Sequence, residues 1–249
     1  MDNTKSTVTR RGLFRYGALT VLSAAAAPLF HLGSAHAQSE VCNPDAPTNP
    51  QDALAALVAG NNRWATGTQT HPGEDKTTLD CLANNPQTPF ASILTCSDSR
   101  TPPELIFDQG PGNLFVARVA GNTANGFNDT LLFGTRNLGS TLAFVMGHSS
   151  CGAVIAAVNA CINKQHVCKP NPELAFVDLI HPAVKQAQKI VKRQGGDPED
   201  PTQVVPVATV QNVILAAATL RVKLARKTPG VLVSGGVYDL GTQLVTVVA

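Results

Sequence analysis

Apolar positions along this chain come either in short unbroken runs or at helical spacing, and the two patterns alternate. Runs at residues 90–95, 114–119 and 141–146 each end in polar or glycine-rich residues, the pattern of strands buried on both faces. The stretches between them are long enough for crossover helices. Thr101-Pro102-Pro103-Glu104 reads as a capping box opening a short helix, and residues 125–138 form a second candidate. Upstream, Asn49 as N-cap, Pro50 at the first helical position and Asp52 in the first turn predict a helix. Leu54, Leu57, Val58 and Trp64 share one face of it, and Gly67 ends it. Downstream, residues 151–162, 173–194 and 203–226 read as helices, and residues 231–240 and 243–248 as strands. The alternation predicts an α/β single domain, residues 49–249, with a central, mostly parallel sheet flanked by helices. In such sheets ligands sit beyond the carboxyl ends of the strands. The residues following Thr95, Val119 and Met146 are therefore where chemistry is expected.

The first 37 residues break this pattern. Arg10 and Arg11 precede an apolar run from Gly17 to Leu32 that closes on Ala35-His36-Ala37, the form of a cleavable export signal. Thr9-Arg10-Arg11-Gly12-Leu13-Phe14 resembles a twin-arginine tag, and an ordinary secretory signal or an uncleaved anchor is the alternative. Cleavage after Ala37 would leave an extended lead-in, residues 38–48, ahead of the domain. The expected location is periplasmic or otherwise extracytoplasmic. No later run of about 18 uninterrupted apolar residues occurs, so no membrane is expected as partner of the mature form. The formal charge of the whole chain is +2 and falls close to neutral without the leader, which gives no electrostatic argument for nucleic acid.

Two predicted strand ends carry unusual side chains. The first runs into Cys96-Ser97-Asp98-Ser99-Arg100 and the third into Gly147-His148-Ser149-Ser150-Cys151-Gly152. If these strands are parallel neighbours, two thiolates and an imidazole converge on one edge. That set suits zinc, and three protein ligands leave a fourth position open, the mark of a catalytic centre. Cys151 also begins a helix, whose positive end favours the thiolate. Any one of these residues alone would be read as core or turn; the combination is hard to reach by chance.

On these motifs the sequence resembles the β-class carbonic anhydrases. Further matching strings are Gly60-Asn61-Asn62-Arg63-Trp64, residues 107–110, residues 112–122 and Gly236-Val237-Tyr238-Asp239-Leu240. The resemblance implies Zn²⁺ held by Cys96, His148 and Cys151, with Asp98 and Arg100 as the adjoining catalytic dyad. It implies reversible hydration of CO₂ to bicarbonate and a proton, by attack of hydroxide held on zinc. Gly152 and Gln109 are then candidates for contacting substrate or bicarbonate. Asp98 would become a fourth ligand only in a closed state. In relatives that close, a tryptophan stands three positions before the first zinc cysteine; here Ile93 occupies that place, so an open site is expected. Assembly as a homodimer, or a higher assembly of dimers, is also implied. No histidine stands out as a proton shuttle among His71, His166 and His181.

Two alternatives keep the same zinc residues: a CS₂ or COS hydrolase on this fold, and a non-catalytic zinc-binding protein. An intact Asp98–Arg100 pair counts against the latter, since a reservoir has no use for an oriented hydroxide. With Cys96 and Cys151 assigned to metal, four cysteines remain. A disulfide between Cys161 and Cys168 needs only a local turn, which leaves Cys42 with Cys81, and four free thiols are the alternative.

Overall fold

The computed structural model describes residues 41–124, 128–163 and 175–249. Five strands form one sheet in the order β2-β1-β3-β4-β5, with β1 Ala91–Thr95, β2 Leu114–Arg118, β3 Leu142–His148, β4 Leu232–Tyr238 and β5 Val245–Val247. The first four run parallel, and β5 pairs antiparallel with β4 as the chain turns back. Helices α1 Pro50–Thr66, α2 Lys76–Asn84, α3 Pro103–Ile106, α4 Asn128–Asn137, α5 Gly152–Ile162, α6 Ala175–Arg193 and α7 Pro201–Ala225 complete the described residues.

Strands β1 and β3 are buried along their whole length, which is why they read as continuous apolar runs. Successive side chains enter different cores. Ile93, Phe144 and Met146 pack with Leu57, Ile106 and Phe107 beneath α1 and α3. Leu94, Ala143 and Val145 pack with Val213, Ala217 and Leu220 of α7. Phe107 meets Phe144 edge-on at 5.7 Å between ring centroids. Burying a side chain of this size contributes about 2–3 kcal/mol each. Helix α7 is long and apolar enough to cross a membrane by length and composition, yet Val204, Ala208, Val213, Ala217, Leu220 and Leu224 are buried in the protein core.

The helix starting at Pro50 forms with Asn49 as its cap, the Asn49 Oδ1 accepting from the Asp52 N–H at 2.9 Å. Several expectations need correction. Val58 points outward; the buried face of α1 is Ala53, Leu57, Gly60 and Asn61. Helix α3 has no capping box, because Thr101 lies one residue ahead of the cap position and its hydroxyl donates instead to the Asp98 carbonyl at 3.0 Å. Strand β3 continues past Met146 to His148, because β4 pairs with it that far. Helix α2 escapes the pattern altogether: none of its residues is buried, so it has no apolar stripe to detect. The first residues of the helices expected over 125–138 and 173–194 lie outside the described residues, as do His166 and Cys168.

Candidate metal centre

The register of the sheet creates the site. Thr95 pairs with Met146 across the parallel β1–β3 ladder, so Cys96 and His148 leave the same edge of the sheet within a residue of each other. Two residues on, Ser150 takes a left-handed conformation (φ 55°) that turns the chain, and Cys151 becomes the N-cap of α5. One donor atom from each of Cys96, His148 and Cys151 lies within 4.8 Å of the others, and all three residues are buried. The two sulfurs are 3.9 Å apart.

That geometry fits a tetrahedral ion: two thiolates each about 2.3 Å from one zinc stand about 3.8 Å apart. The imidazole gives the second test. His148 Nδ1 lies 3.0 Å from the Ser149 carbonyl, an acceptor that requires the proton on Nδ1. Nε2 then carries a bare lone pair, and it is buried without a hydrogen-bond partner. An orphaned buried acceptor is costly unless something takes that lone pair, and a backbone-anchored Nδ1–H is how ligating histidines are fixed. The thiols agree. The hydrogen bond between them pulls Cys96 well below the ordinary thiol range and pushes Cys151 up, with burial also raising Cys151. The pair gives up one proton readily and holds the second, until a cation stabilises two thiolates side by side.

Asp98 stands beside this set, its Oδ2 3.8 Å from His148 Nε2. Arg100 grips it through both oxygens, Nε donating to Oδ1 at 2.9 Å and Nη2 to Oδ2 at 2.7 Å, while the Arg100 backbone N–H adds a bond of 3.0 Å to Oδ1. The Arg100 side-chain hydrogen bonds hold the Asp98 carboxyl well below the usual carboxylate range, against a smaller opposing effect of burial. Arg118 ties the turn from beneath, donating to the carbonyls of Cys96 and Asp98. The Gly121 N–H points at the Cys96 sulfur at 3.4 Å. On the far side the Ser149 backbone donates to the Tyr238 carbonyl at 2.8 Å, and the Ser149 hydroxyl accepts from the Leu240 N–H at 2.9 Å.

With this corner in view, the comparison with known families is decisive. A family model described as carbonic anhydrase matches residues 91–245, more than half of the chain. The chain belongs to the carbonic anhydrase family, in its β class. Carbonic anhydrase 2 of Mycobacterium tuberculosis is 41% identical over 114 residues, covering 45% of this chain and 55% of that protein. The carbonic anhydrase of Mycolicibacterium smegmatis is 38% identical over the same share. The chain thus spans about half the length of the curated relatives it matches. Among solved structures, the Coccomyxa β-carbonic anhydrase, in complex with acetazolamide, is 25% identical with a TM-score of 0.53 over 78% of this chain and 85% of that one. The β-carbonic anhydrase CcaA shares the fold, at 22% identity and a TM-score of 0.55 over 79% and 87%.

The remaining family-matched residues divide. Gly152 is the first residue of α5 and faces open space, with no atom within 4 Å of where a Cβ would stand. Gln109 does not join the metal corner. Its amide donates to the Phe107 carbonyl at 3.1 Å and accepts from Asn113 at 3.2 Å. It lines a separate cavity of about 530 Å³ with residues such as Asn43, Arg63 and Thr70. Among the histidines, His71 is exposed and faces Glu74 at 3.4 Å. Cys42 and Cys81 form a disulfide. Cys161 carries a free, half-buried thiol, and Cys168, its expected partner, lies outside the described residues. Sequence reasoning gave no role to Gly121. Its positive φ of 69° aims an N–H at the Cys96 sulfur where a side chain would collide with Ile180, and nothing in the sequence beyond its being a glycine signals that.

Proposed function

We propose that this chain is a zinc-dependent carbonic anhydrase that hydrates CO₂ to bicarbonate outside the cytoplasm. The observation that carries the reading is the buried Cys96–His148–Cys151 donor set with an Arg-clamped carboxylate beside it. Zinc, when bound, supplies Lewis acidity strong enough to make hydroxide available near neutral pH. Cys96, His148 and Cys151 would hold it, leaving one position free for water. The chain does the rest by orientation. Asp98 is ionised and fixed by Arg100, so it accepts a hydrogen bond from the attacking oxygen and aims that oxygen's lone pair at the carbon of CO₂. The bidentate clamp also opposes a swing of Asp98 onto the metal, which keeps the site open. Gly152, at the start of α5, leaves open space where a side chain would stand, which gives a bicarbonate oxygen room beside the helix N-terminus.

The export reading rests on Arg10-Arg11 and on the Cys42–Cys81 bond, which suits an oxidising compartment. Assembly into dimers or tetramers is in keeping with two solved β-carbonic anhydrases from Sordaria macrospora that are described as tetrameric. Stopped-flow CO₂ hydration with a pH indicator, run beside CS₂ and COS, tests the reaction. Turnover of CS₂ or COS without CO₂ hydration would reassign the substrate, and zinc uptake without any turnover would leave a metal-binding protein.

A further inference from the structure

Gly121 and Asn122, in the single helical turn after β2, both adopt left-handed backbone conformations, with φ of 69° and 44°. Gly121 takes such a conformation freely, while Asn122, having a side chain, is strained in it. What they achieve is to present the Gly121 N–H to the Cys96 sulfur at 3.4 Å. One polar group from outside the turn holds them there. Asn212, midway along α7 and 5% exposed, donates from Nδ2 to the Gly121 carbonyl at 2.7 Å, in a fully buried hydrogen bond spanning 91 residues of sequence. The next residue of α7 braces a second ligand. Val213 packs so tightly on Gly147, the residue before His148, that a Cβ there would meet its methyl group at 2.6 Å.

We propose that Asn212 is a positioning residue for the metal centre: by clamping the Gly121 carbonyl it aims the Gly121 N–H at the Cys96 thiolate. The inference rests on the metal reading above and adds to it a determinant on a helix that contributes no ligand. The physical role is specific. A thiolate with an N–H directed at it is held in one orientation and its charge is partly neutralised before metal arrives. Without the amide of Asn212, the Gly121 carbonyl is a buried acceptor with no partner, and the strained turn has reason to relax away from the sulfur.

The test is zinc affinity by chelator competition on the full chain at fixed pH, for Asn212→Leu, which keeps volume, and Asn212→Ala, which removes it. Thr209→Val is the control. It sits one turn earlier on α7, and its hydroxyl bonds only within the helix, to the Val205 carbonyl at 3.0 Å. Loss of such an outer-shell contact raises the dissociation constant roughly tenfold or more. That rise is expected in both Asn212 variants and not in Thr209→Val. A shifted sulfur-to-cobalt absorption band is expected in the Co²⁺-loaded Asn212 variants. If Asn212→Leu does not fold, Asn212→Ala carries the measurement. A dissociation constant within twofold of the parent in a folded Asn212 variant overturns the proposal, as does an equal rise in Thr209→Val. A parent chain that takes up no zinc would instead overturn the metal reading itself.

Discussion

The corner that gathers Cys96, His148 and Cys151 and the stretches that flank α1, residues 41–48 and 67–84, are held in place by opposite means. At the corner, the backbone decides. Two parallel strands in fixed register deliver Cys96 and His148, one left-handed turn delivers Cys151, and side chains such as Arg118 and Asn212 then brace that backbone. Helix α1 is packed into the core through Ala53 and Leu57, but residues 41–48 and 67–84 on either side of it depend on point attachments: the Cys42–Cys81 disulfide that joins them, the Asn43 amide on the Pro111 carbonyl, and Asp108 accepting from the backbones of Thr70 and His71. Helix α2 has no fully buried residue, and its apolar hold on the rest is slight, chiefly half-buried Leu82 against Gly112. The difference teaches that the register of one sheet can gather a donor set while neighbouring stretches are secured by a few separable ties. Substitutions at the corner should therefore cost function with the fold intact, and substitutions in the ties should cost stability with function intact.

The strongest way to break that division is at the ligands. Cys96→Ser, His148→Ala and Cys151→Ser are each expected to abolish zinc retention and CO₂ hydration together, because two remaining donors hold the ion too weakly. Elemental analysis beside circular dichroism checks it. Full zinc occupancy in any one of these variants would strike that residue from the donor set. Next in size are the dyad variants. Asp98→Asn removes the charged acceptor, and Arg100→Ala frees Asp98 to reach the metal; either is expected to lower kcat by about 10²-fold with zinc fully retained, on the scale of a positioned acid–base group. A parent-like kcat in Asp98→Asn would remove the carboxylate from the mechanism.

The same contrast explains what could be read from the sequence. The continuous apolar runs of β1 and β3 and the polar residues ending them are local signals, so the α/β class and the mostly parallel sheet followed from pattern, whereas the approach of Cys96 to His148 was conditional on β1 and β3 being neighbours, which the sheet supplies. Pairing with β4 is not local, which is why β3 was expected to stop at Met146 rather than at His148. Helix α2 was missed because none of its residues is fully buried and its cap, Asp75, looks like any loop aspartate. The contribution of Asn212 was illegible for another reason. A polar residue inside an apolar helix announces that it needs a partner, but only the fold shows that the partner is the carbonyl of Gly121, 91 positions away.

Cutting the disulfide sharpens the comparison from the other side. Cys42 and Cys81 are separated by 39 positions, and closing a loop of that size stabilises by up to about 4 kcal/mol in the chain-entropy account. Because residues 41–48 and 67–84 can loosen while α1 stays packed on the sheet, Cys42→Ser is expected to lower the thermal midpoint while zinc content and kcat stay near the parent's. Zinc loss in step with the midpoint would show that the two regions are not separable.

The smallest effect, and the one with a defined pH signature, is at Asp108. Its side chain is 2% exposed and is paired with Arg63. Burial by itself would raise its pKa, but the Thr70 and His71 N–H groups, the Arg63 guanidinium and the Thr70 hydroxyl more than offset that and hold it at about 2, against 3.8 for a free aspartate. A carboxyl with a depressed folded-state pKa stabilises the fold fully above its unfolded value and loses that contribution as pH falls toward the folded one. The window is therefore pH 3.8 down to about 2. At pH 7 the contribution is about 2 kcal/mol, a midpoint shift of about 5 °C for a chain of this size. Asp108→Asn should show that deficit in full at pH 7 and at pH 5, and the gap between parent and variant should close as pH falls from 4 to 2. Comparing the two at each pH, both stripped of metal, cancels the separate loss of zinc in acid. A gap that stays constant across the window would mean that the Asp108 charge contributes nothing and that shape alone joins the Thr70–His71 backbone to the loop after α3.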